Sequence, residues 1–373
     1  MKLLTVIGAR PQIIKAAAVS RAIRNLYPDR IWEKILHTGQ HYDANMSQVF
    51  FDELGIPQPD YNLGVGSGPH GLQTAKMISG IEDVLLSEHF DGVILYGDTN
   101  STLAGAVAAS KIHIPVYHIE AGLRSFNMSM PEEINRIVCD QLSTICFAPT
   151  QTAVNNLRKE GFFESHATFH DGRHRQVCNS GDVMYDNSIY FASMARERSS
   201  IIKNLEIIPN NYILATVHRD NNTDDPGRLH AILNALVHIS EQQGIPVILP
   251  LHPRTRKKID ALNPNTLAGS PLLKIIPPAS FFDISMLEQN AKIVMTDSGG
   301  VQKEAFFFEK PCVILRPETE WVEIVNHGAG IIADADYDRI IDAYSQLSDH
   351  PVNFPHLFGD AHAAEKILQT ILN

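Results

Sequence analysis

Short apolar runs, each closed by a polar turn and followed by a helical pattern, recur along the whole chain. Residues 3–7 run into Gly8-Ala-Arg10-Pro11 and then a helical pattern over 12–26. The same order returns at 92–96 before a helix over 101–111, and at 115–119 before a helix that opens near Met130-Pro131. It returns again at 212–217 before 228–243, and at 291–295 before a helix from Gln302. Parallel neighbours need a crossover, usually a helix, so this alternation predicts parallel sheets covered by helices on both faces. Further strands are expected at 31–38, 144–148, 247–251, 274–276 and 311–315, and 330–333 precedes a last strand–helix segment. Helices are expected at 72–86, 181–198 and 361–372 and between Met46 and Leu54, with a Gly/Pro-rich loop over 57–71.

A chain of 373 residues exceeds one ordinary core, so two domains are expected. The alternation breaks over 162–179, where His166, His170 and His174 stand at helical spacing. The segment reads as a solvated polar loop in preference to a metal site. The break places one domain at 1–179 and a second at 180–355. A last helix over 356–373 is expected to return to the first domain. The net charge of −11 argues against nucleic acid or an anionic membrane surface as partner. No apolar run is long enough to span a bilayer, and the first residues run straight into a strand, so no signal peptide is expected. The four cysteines lack metal or redox spacing, which fits reduced thiols in a cytoplasmic protein.

Polar residues gather where ligands bind in such sheets, beyond the carboxyl ends of the strands. Met295-Thr-Asp-Ser-Gly-Gly-Val-Gln-Lys-Glu-Ala305 passes from strand through a hydroxyl-and-glycine turn into a helix. The helix start offers unpaired N–H groups and a positive dipole end, so Ser298, Gly299 and Gly300 suit a phosphate or diphosphate. Glu304, one turn on, suits a ribose diol. A plain turn capped by Ser298 is the alternative. The first half contributes Arg10, Lys15, Asp98, Glu120 and, on a loop, Glu132. The second contributes His218, Arg219, His252, Arg254, Ser298 and Arg316. Taken singly, Arg10 and Lys15 read equally well as surface cations, and Asp98 as a helix cap. Taken together, carboxylates in one half and an anion-binding turn in the other predict a cleft that holds a phosphorylated ligand beside acid/base groups.

These residues sit in longer motifs. Gly8-Ala-Arg-Pro11 with Lys15, Gly97-Asp-Thr99, His118-Ile-Glu-Ala-Gly-Leu-Arg124, Pro131-Glu-Glu133 with Asn135-Arg136, His218-Arg219, and Thr296-Asp-Ser-Gly-Gly300 with Glu304 resemble the non-hydrolysing UDP-N-acetylglucosamine 2-epimerases over nearly the whole chain. The resemblance implies a GT-B-like α/β fold, two Rossmann-like doubly wound parallel-sheet domains facing a central cleft. It implies epimerisation of a UDP-sugar at C2, no metal or redox cofactor, a homodimer, and a place in cell-surface polysaccharide biosynthesis. Carried over by position, it puts catalytic roles on Asp98, Glu120, Glu132 and His218. The family's nucleotide contacts fall on Arg10, Ser298, Gly299, Gly300 and Glu304, with uracil read by backbone near Ile284; Lys15, Arg136, Arg219, His252, Arg254 and Arg316 are further candidates for binding the UDP-sugar. A branch of the family has a second, regulatory UDP-sugar site. Gln40-His-Tyr-Asp43, and Leu72 ahead of Gln73, depart from its pattern. The stretches 125–130 and 251–256 look more like the subgroup acting on UDP-2,3-diacetamido-2,3-dideoxyglucuronate. A glycosyltransferase would need an acceptor cleft and usually one base, and a non-catalytic UDP-sugar binder would not need three carboxylates.

Overall fold

A computed structural model describes residues 1–40, 57–163, 169, 172, 174–251, 253–262 and 270–373, without the side chains of 253, 254 and 260–262. The helix expected between Met46 and Leu54, and the expectations for His166, His170 and His252, lie outside the described residues. Contacts divide the chain into one unit of Met1–Asn187 with His356–Asn373 and a second of Ser188–Pro355.

In the first unit β1 (Lys2–Ile7), β2 (Trp32–His37), β3 (Tyr61–Asn62), β4 (Gly92–Tyr96), β5 (Val116–Ile119), β6 (Ile145–Ala148) and β7 (Gln176–Asn179) form one sheet. Its order is β3-β2-β1-β4-β5-β6-β7. In the second unit β8 (Ile213–Thr216), β9 (Val247–Pro250), β10 (Leu273–Ile276), β11 (Ile293–Thr296), β12 (Cys312–Ile314) and β13 (Gly330–Ile332) are ordered β10-β9-β8-β11-β12-β13. All these pairs are parallel. In each sheet the strand order reverses once, at β1/β4 and at β8/β11. Such reversals open a crevice at the carboxyl ends of the two strands concerned.

Apolar residues of the inner strands are buried on both faces, as helices on both sides require. Helix Arg10–Leu26 turns Ile13, Ala16, Ala17, Val19 and Ile23 inward at helical spacing. Helix Asn100–Lys111 lies close to β4 because its inward face is small; a side chain at Gly105 would meet Leu95 Cδ2 at 2.5 Å.

Several elements were not expected from the sequence. β7 has only half-buried and exposed residues and is held to β6 by ladder bonds such as Gln176 N to Thr144 O at 2.9 Å. The expected 57–71 loop contains the two-residue edge strand β3. Helices Gln151–Lys159 and Phe281–Asn290 are both capped by hydroxyls, Thr150 accepting from Ala153 N and Ser280 from Asp283 N.

The division between the units falls inside helix Val183–Arg198. Its first turn serves the first unit: Asp186 accepts from the N–H groups of Ala363 (3.0 Å) and Ala364 (2.7 Å), and Asn187 Nδ2 donates to Ile14 O at 2.6 Å. The C-terminal helix Ala363–Leu372 is thus fastened at its start to the first unit. All four cysteines are free thiols. Among the described residues no helix is long and apolar enough to cross a membrane, and no cluster of His, Cys, Asp or Glu could hold a metal ion.

Candidate active site

The turns after β1 and β4 are locked together by one buried amide. Gln12 Oε1 accepts from the N–H groups of Gly8 (2.9 Å) and Ala9 (3.1 Å). Its Nε2 donates to Tyr96 O and Thr102 Oγ1, both at 3.0 Å. Gly8 has no room for a side chain, since Ser101 and Thr38 hydroxyls occupy that space. Arg10 therefore emerges exposed at the first helical residue, beside the ends of β1 and β4.

Two of the three candidate carboxylates are each held by a cation. Lys15 Nζ lies 2.5 Å from Glu120 Oε1, with the two side chains only 12% and 10% exposed, so Lys15 is no surface cation. Arg136 is ion-paired with Asp98 through Nη2 and with Glu133 through Nη1, the latter at 2.5 Å. Asp98 is not the cap of the following helix; Thr99 is, its hydroxyl accepting from Thr102 N. Asn135 Nδ2 fixes the turn by donating to Asp98 O at 2.9 Å. Glu120 itself stands in the left-handed region, at φ 71°, a conformation that favours glycine. Its strain is held by N–H bonds from Glu120 and Ala121 to Phe147 O.

The adjacent glutamates of Pro131-Glu-Glu133 part company. Glu133 is buried and accepts from Ser125 N, Phe126 N, Ser125 Oγ and Arg136. Burial opposes its charge, but these donors outweigh it and hold its pKa below the usual value. Glu132 is exposed, with no bonded partner among the described residues.

His118 and Arg124, the ends of one sequence motif, are joined in a buried network by Asp140, which the sequence did not single out. His118 Nδ1 is 2.6 Å from Asp140, and Nε2 is 2.7 Å from Gly97 O, so the ring carries the turn that presents Asp98. Arg124 Nη1 reaches Asp140 at 2.8 Å, and Gly122 N donates to it at 3.1 Å. Burial works against a charged His118 ring, but Cys139 and Asp140 outweigh it and raise its pKa well above the ordinary value. Burial likewise opposes charge on Asp140, and His118 and Arg124 outweigh it and lower its pKa.

In the second unit the turns after β8 and β11 meet on Asp297. This fully buried carboxylate accepts from the N–H groups of His218 (3.2 Å) and Arg219 (3.1 Å) and from Asn222 Nδ2 (3.0 Å). His218 Nδ1 lies 3.1 Å away, while the ring is 60% exposed. Burial raises the Asp297 pKa, but His218, Asn222 and the Arg219 N–H outweigh it, and the carboxyl stays below its usual value. Asn222, four residues beyond His218, was the available signal for this arrangement.

Ser298 caps helix Gly299–Phe307, its hydroxyl accepting from Val301 N at 3.4 Å. Gly300 faces open space, its nearest atom Ser298 Oγ at 3.8 Å, whereas a side chain at Gly299 would collide with the Glu320 carboxylate. That carboxylate also meets Arg316 Nη1 at 3.1 Å. Glu304 follows on the same helix, hydrogen-bonded to buried Glu288. The Ile284 N–H donates to Ser280 O at 2.9 Å. Arg254 lies on helix Pro253–Leu262. A cavity of about 560 Å³ near Arg196, Met286, Phe307 and Glu309 lies at helix C-termini, at the opposite end of the sheet from these turns.

The geometry matches known proteins along the full length. A family model described as UDP-N-acetylglucosamine 2-epimerase matches residues 26–372. The chain is 49% identical over 371 residues, 99% of each chain, to UDP-2,3-diacetamido-2,3-dideoxy-D-glucuronate 2-epimerase of Pseudomonas aeruginosa. The crystal structure of Methanocaldococcus jannaschii UDP-GlcNAc 2-epimerase in complex with UDP-GlcNAc and UDP has a TM-score of 0.81 at 39% identity, covering 100% of this chain and 99% of that one. The Neisseria meningitidis UDP-GlcNAc 2-epimerase bound to UDP-GlcNAc has a TM-score of 0.82 at 30% identity, covering 100% of both.

Proposed function

Because the chain belongs to the UDP-N-acetylglucosamine 2-epimerase family and has its GT-B-like pair of Rossmann-like domains, we propose that it inverts C2 of a UDP-N-acetylhexosamine by eliminating and re-adding UDP. The observation that carries this is Asp98 and Glu120 at the ends of neighbouring parallel strands, each paired with its own cation. The C2 hydrogen has no adjacent carbonyl to acidify it. Breaking the C1–O bond first places positive charge at C1, and the C2 proton then becomes removable by a carboxylate. The electron pair of the C–H bond forms the C1=C2 bond of a glycal, and the C1–O pair leaves with UDP.

His218 and Arg10, with the Ser298-Gly299-Gly300 turn, stabilise the departing diphosphate in this reading. Protonation of C2 from the opposite face, with UDP returning to C1, gives the epimer. A group on each face is needed, which is why more than one of Asp98, Glu120 and Glu132 is assigned to the ring. The relative at 49% identity supports UDP-2,3-diacetamido-2,3-dideoxyglucuronate as substrate, and the structures with bound UDP-GlcNAc support UDP-GlcNAc as the second reading. The finer reading is a cytoplasmic homodimer serving cell-surface polysaccharide synthesis, with light scattering as the check on the dimer.

The test is turnover of both UDP-sugars in deuterated water, with no acceptor added. Product bearing deuterium at C2 is expected, and product with fully retained protium overturns elimination. Asp98→Asn, Glu120→Gln and Glu132→Gln should each lower kcat about 100-fold or more, with UDP affinity little changed.

A further inference from the structure

Glu288 has no role in the reaction as described, yet its place is unusual for an acid. It lies on helix Phe281–Asn290, 2% exposed, beside helix Gly299–Phe307, and its side chain bonds to Glu304. One of its oxygens, Oε1, is fully buried, and no donor from another residue type reaches it among the described residues. The nearby Tyr212 hydroxyl donates to Leu287 O at 2.6 Å and is not available to it. Two carboxyl groups in contact form a hydrogen bond only if one carries a proton. Burial favours the neutral form, and Glu304, the less buried of the two, keeps the charge. Accordingly burial, then the charge and the bond of Glu304, push the Glu288 pKa well above the ordinary value.

We propose that Glu288 is a positioning residue for nucleotide recognition: as a neutral acid it donates a hydrogen bond to Glu304 and fixes that carboxylate for the ribose hydroxyls of a uridine diphosphate. The inference rests on the assignment of Glu304 to the ribose. A neutral donor suits this task because it orients the carboxylate without cancelling its charge. A lysine or arginine in the same place would pair with Glu304 and compete with the diol. The consequence is selectivity for ribonucleotide over deoxyribonucleotide, since a site built around a hydroxyl rejects a ligand that lacks it.

Calorimetric titration with UDP and 2′-deoxy-UDP tests both steps. In the native protein UDP binds more tightly, and Glu304→Gln removes the preference. Glu288→Leu, a buried apolar replacement, should narrow the preference about tenfold, the worth of one well-made hydrogen bond. Glu288→Gln, which keeps an N–H donor toward Glu304, should restore it. An unchanged preference in Glu288→Leu, with loss in Glu304→Gln, overturns the positioning role and leaves the ribose assignment standing. An unchanged preference in Glu304→Gln overturns both. If Glu288→Leu does not fold, infrared difference spectroscopy decides: the C=O band of a neutral carboxylic acid in the native protein should vanish in Glu288→Gln. The lack of such a band in the native protein overturns the proposal.

Discussion

In the seven-stranded unit Asp140 holds His118 at 2.6 Å with both side chains sealed from solvent; in the six-stranded unit Asp297 holds His218 at 3.1 Å and the ring stays 60% exposed. Both aspartates are fully buried and both accept further N–H bonds from the backbone of a turn. The difference lies in the far edge of each ring. His118 bonds to Gly97 O and so carries a turn, while the exposed ring of His218 remains accessible to a ligand. The same pair of side chains is scaffold in one unit and a presented group in the other, and accessibility decides which.

The largest expected effect follows from the sealed pair. His118→Ala leaves Asp140 short of a partner in the core and removes the support of Gly97, so it should cost about 3–5 kcal/mol of stability, the scale for breaking a buried pair. Denaturant unfolding measures it. A loss under about 1 kcal/mol would mean that Arg124 alone suffices for Asp140, and the comparison would break.

His218→Ala should do the reverse. Asp297 loses one partner but keeps the backbone N–H groups of the turn and the Asn222 amide, so stability should fall by only about 1 kcal/mol, while turnover falls roughly 100- to 1,000-fold, as for loss of one donor to a developing negative charge. A variant that unfolds easily but turns over normally would place His218 with His118 as scaffold.

The sealed pair also predicts a pH dependence. The folded-state pKa of His118 is raised above 6.5, so the stability it contributes is fully present below about that pH, declines above it and is gone beyond the folded-state value. Asp140 is lowered from 3.8, so its contribution is present above that pH and lost as pH falls through the folded-state value. Melting temperature followed from neutral to alkaline pH should fall in the native protein and fall less in His118→Gln. Parallel curves for the two proteins would remove His118 as the titrating group.

The strand ends were legible because each closes an apolar run with polar residues. That is how Asp98, Glu120, His218 and Ser298 were found at β4, β5, β8 and β11. Asp297 and Asp140 were not legible as hubs. Their partners Asn222 and His118 come from other elements, 75 and 22 residues away, brought together by the β8/β11 pairing in one case and by the packing of helix Pro131–Leu142 on β5 in the other. Glu132 and Glu133 are the same residue type side by side. Which one is buried depends on how the loop before the helix folds back to offer Ser125 N and Phe126 N. β7 failed for a simpler cause: an edge strand without buried apolar residues has no pattern to read.

The smallest effect separates two glycines that the sequence treats alike. Gly97 sits at φ 63°, and a side chain there would lie 3.0 Å from Lys15 Nζ and 3.4 Å from Glu120 Oε1. Gly97→Ala should therefore cost about 1–2 kcal/mol from backbone strain alone and disturb the Lys15–Glu120 pair as well. Gly300 is the second residue of its helix and has no positive φ, and its would-be side chain meets nothing nearer than 3.8 Å. Alanine fits that backbone and restricts the unfolded chain, so Gly300→Ala should raise stability by about 0.4–1 kcal/mol. If the diphosphate approaches this turn, the added methyl stands in its way, and UDP binding should weaken while the protein becomes more stable. Calorimetry with UDP, run beside thermal unfolding of the unliganded variant, reads both signs. A stabilised variant that binds UDP as the native protein does would show that Gly300 is not there for the ligand, and the anion site would have to lie closer to Arg316.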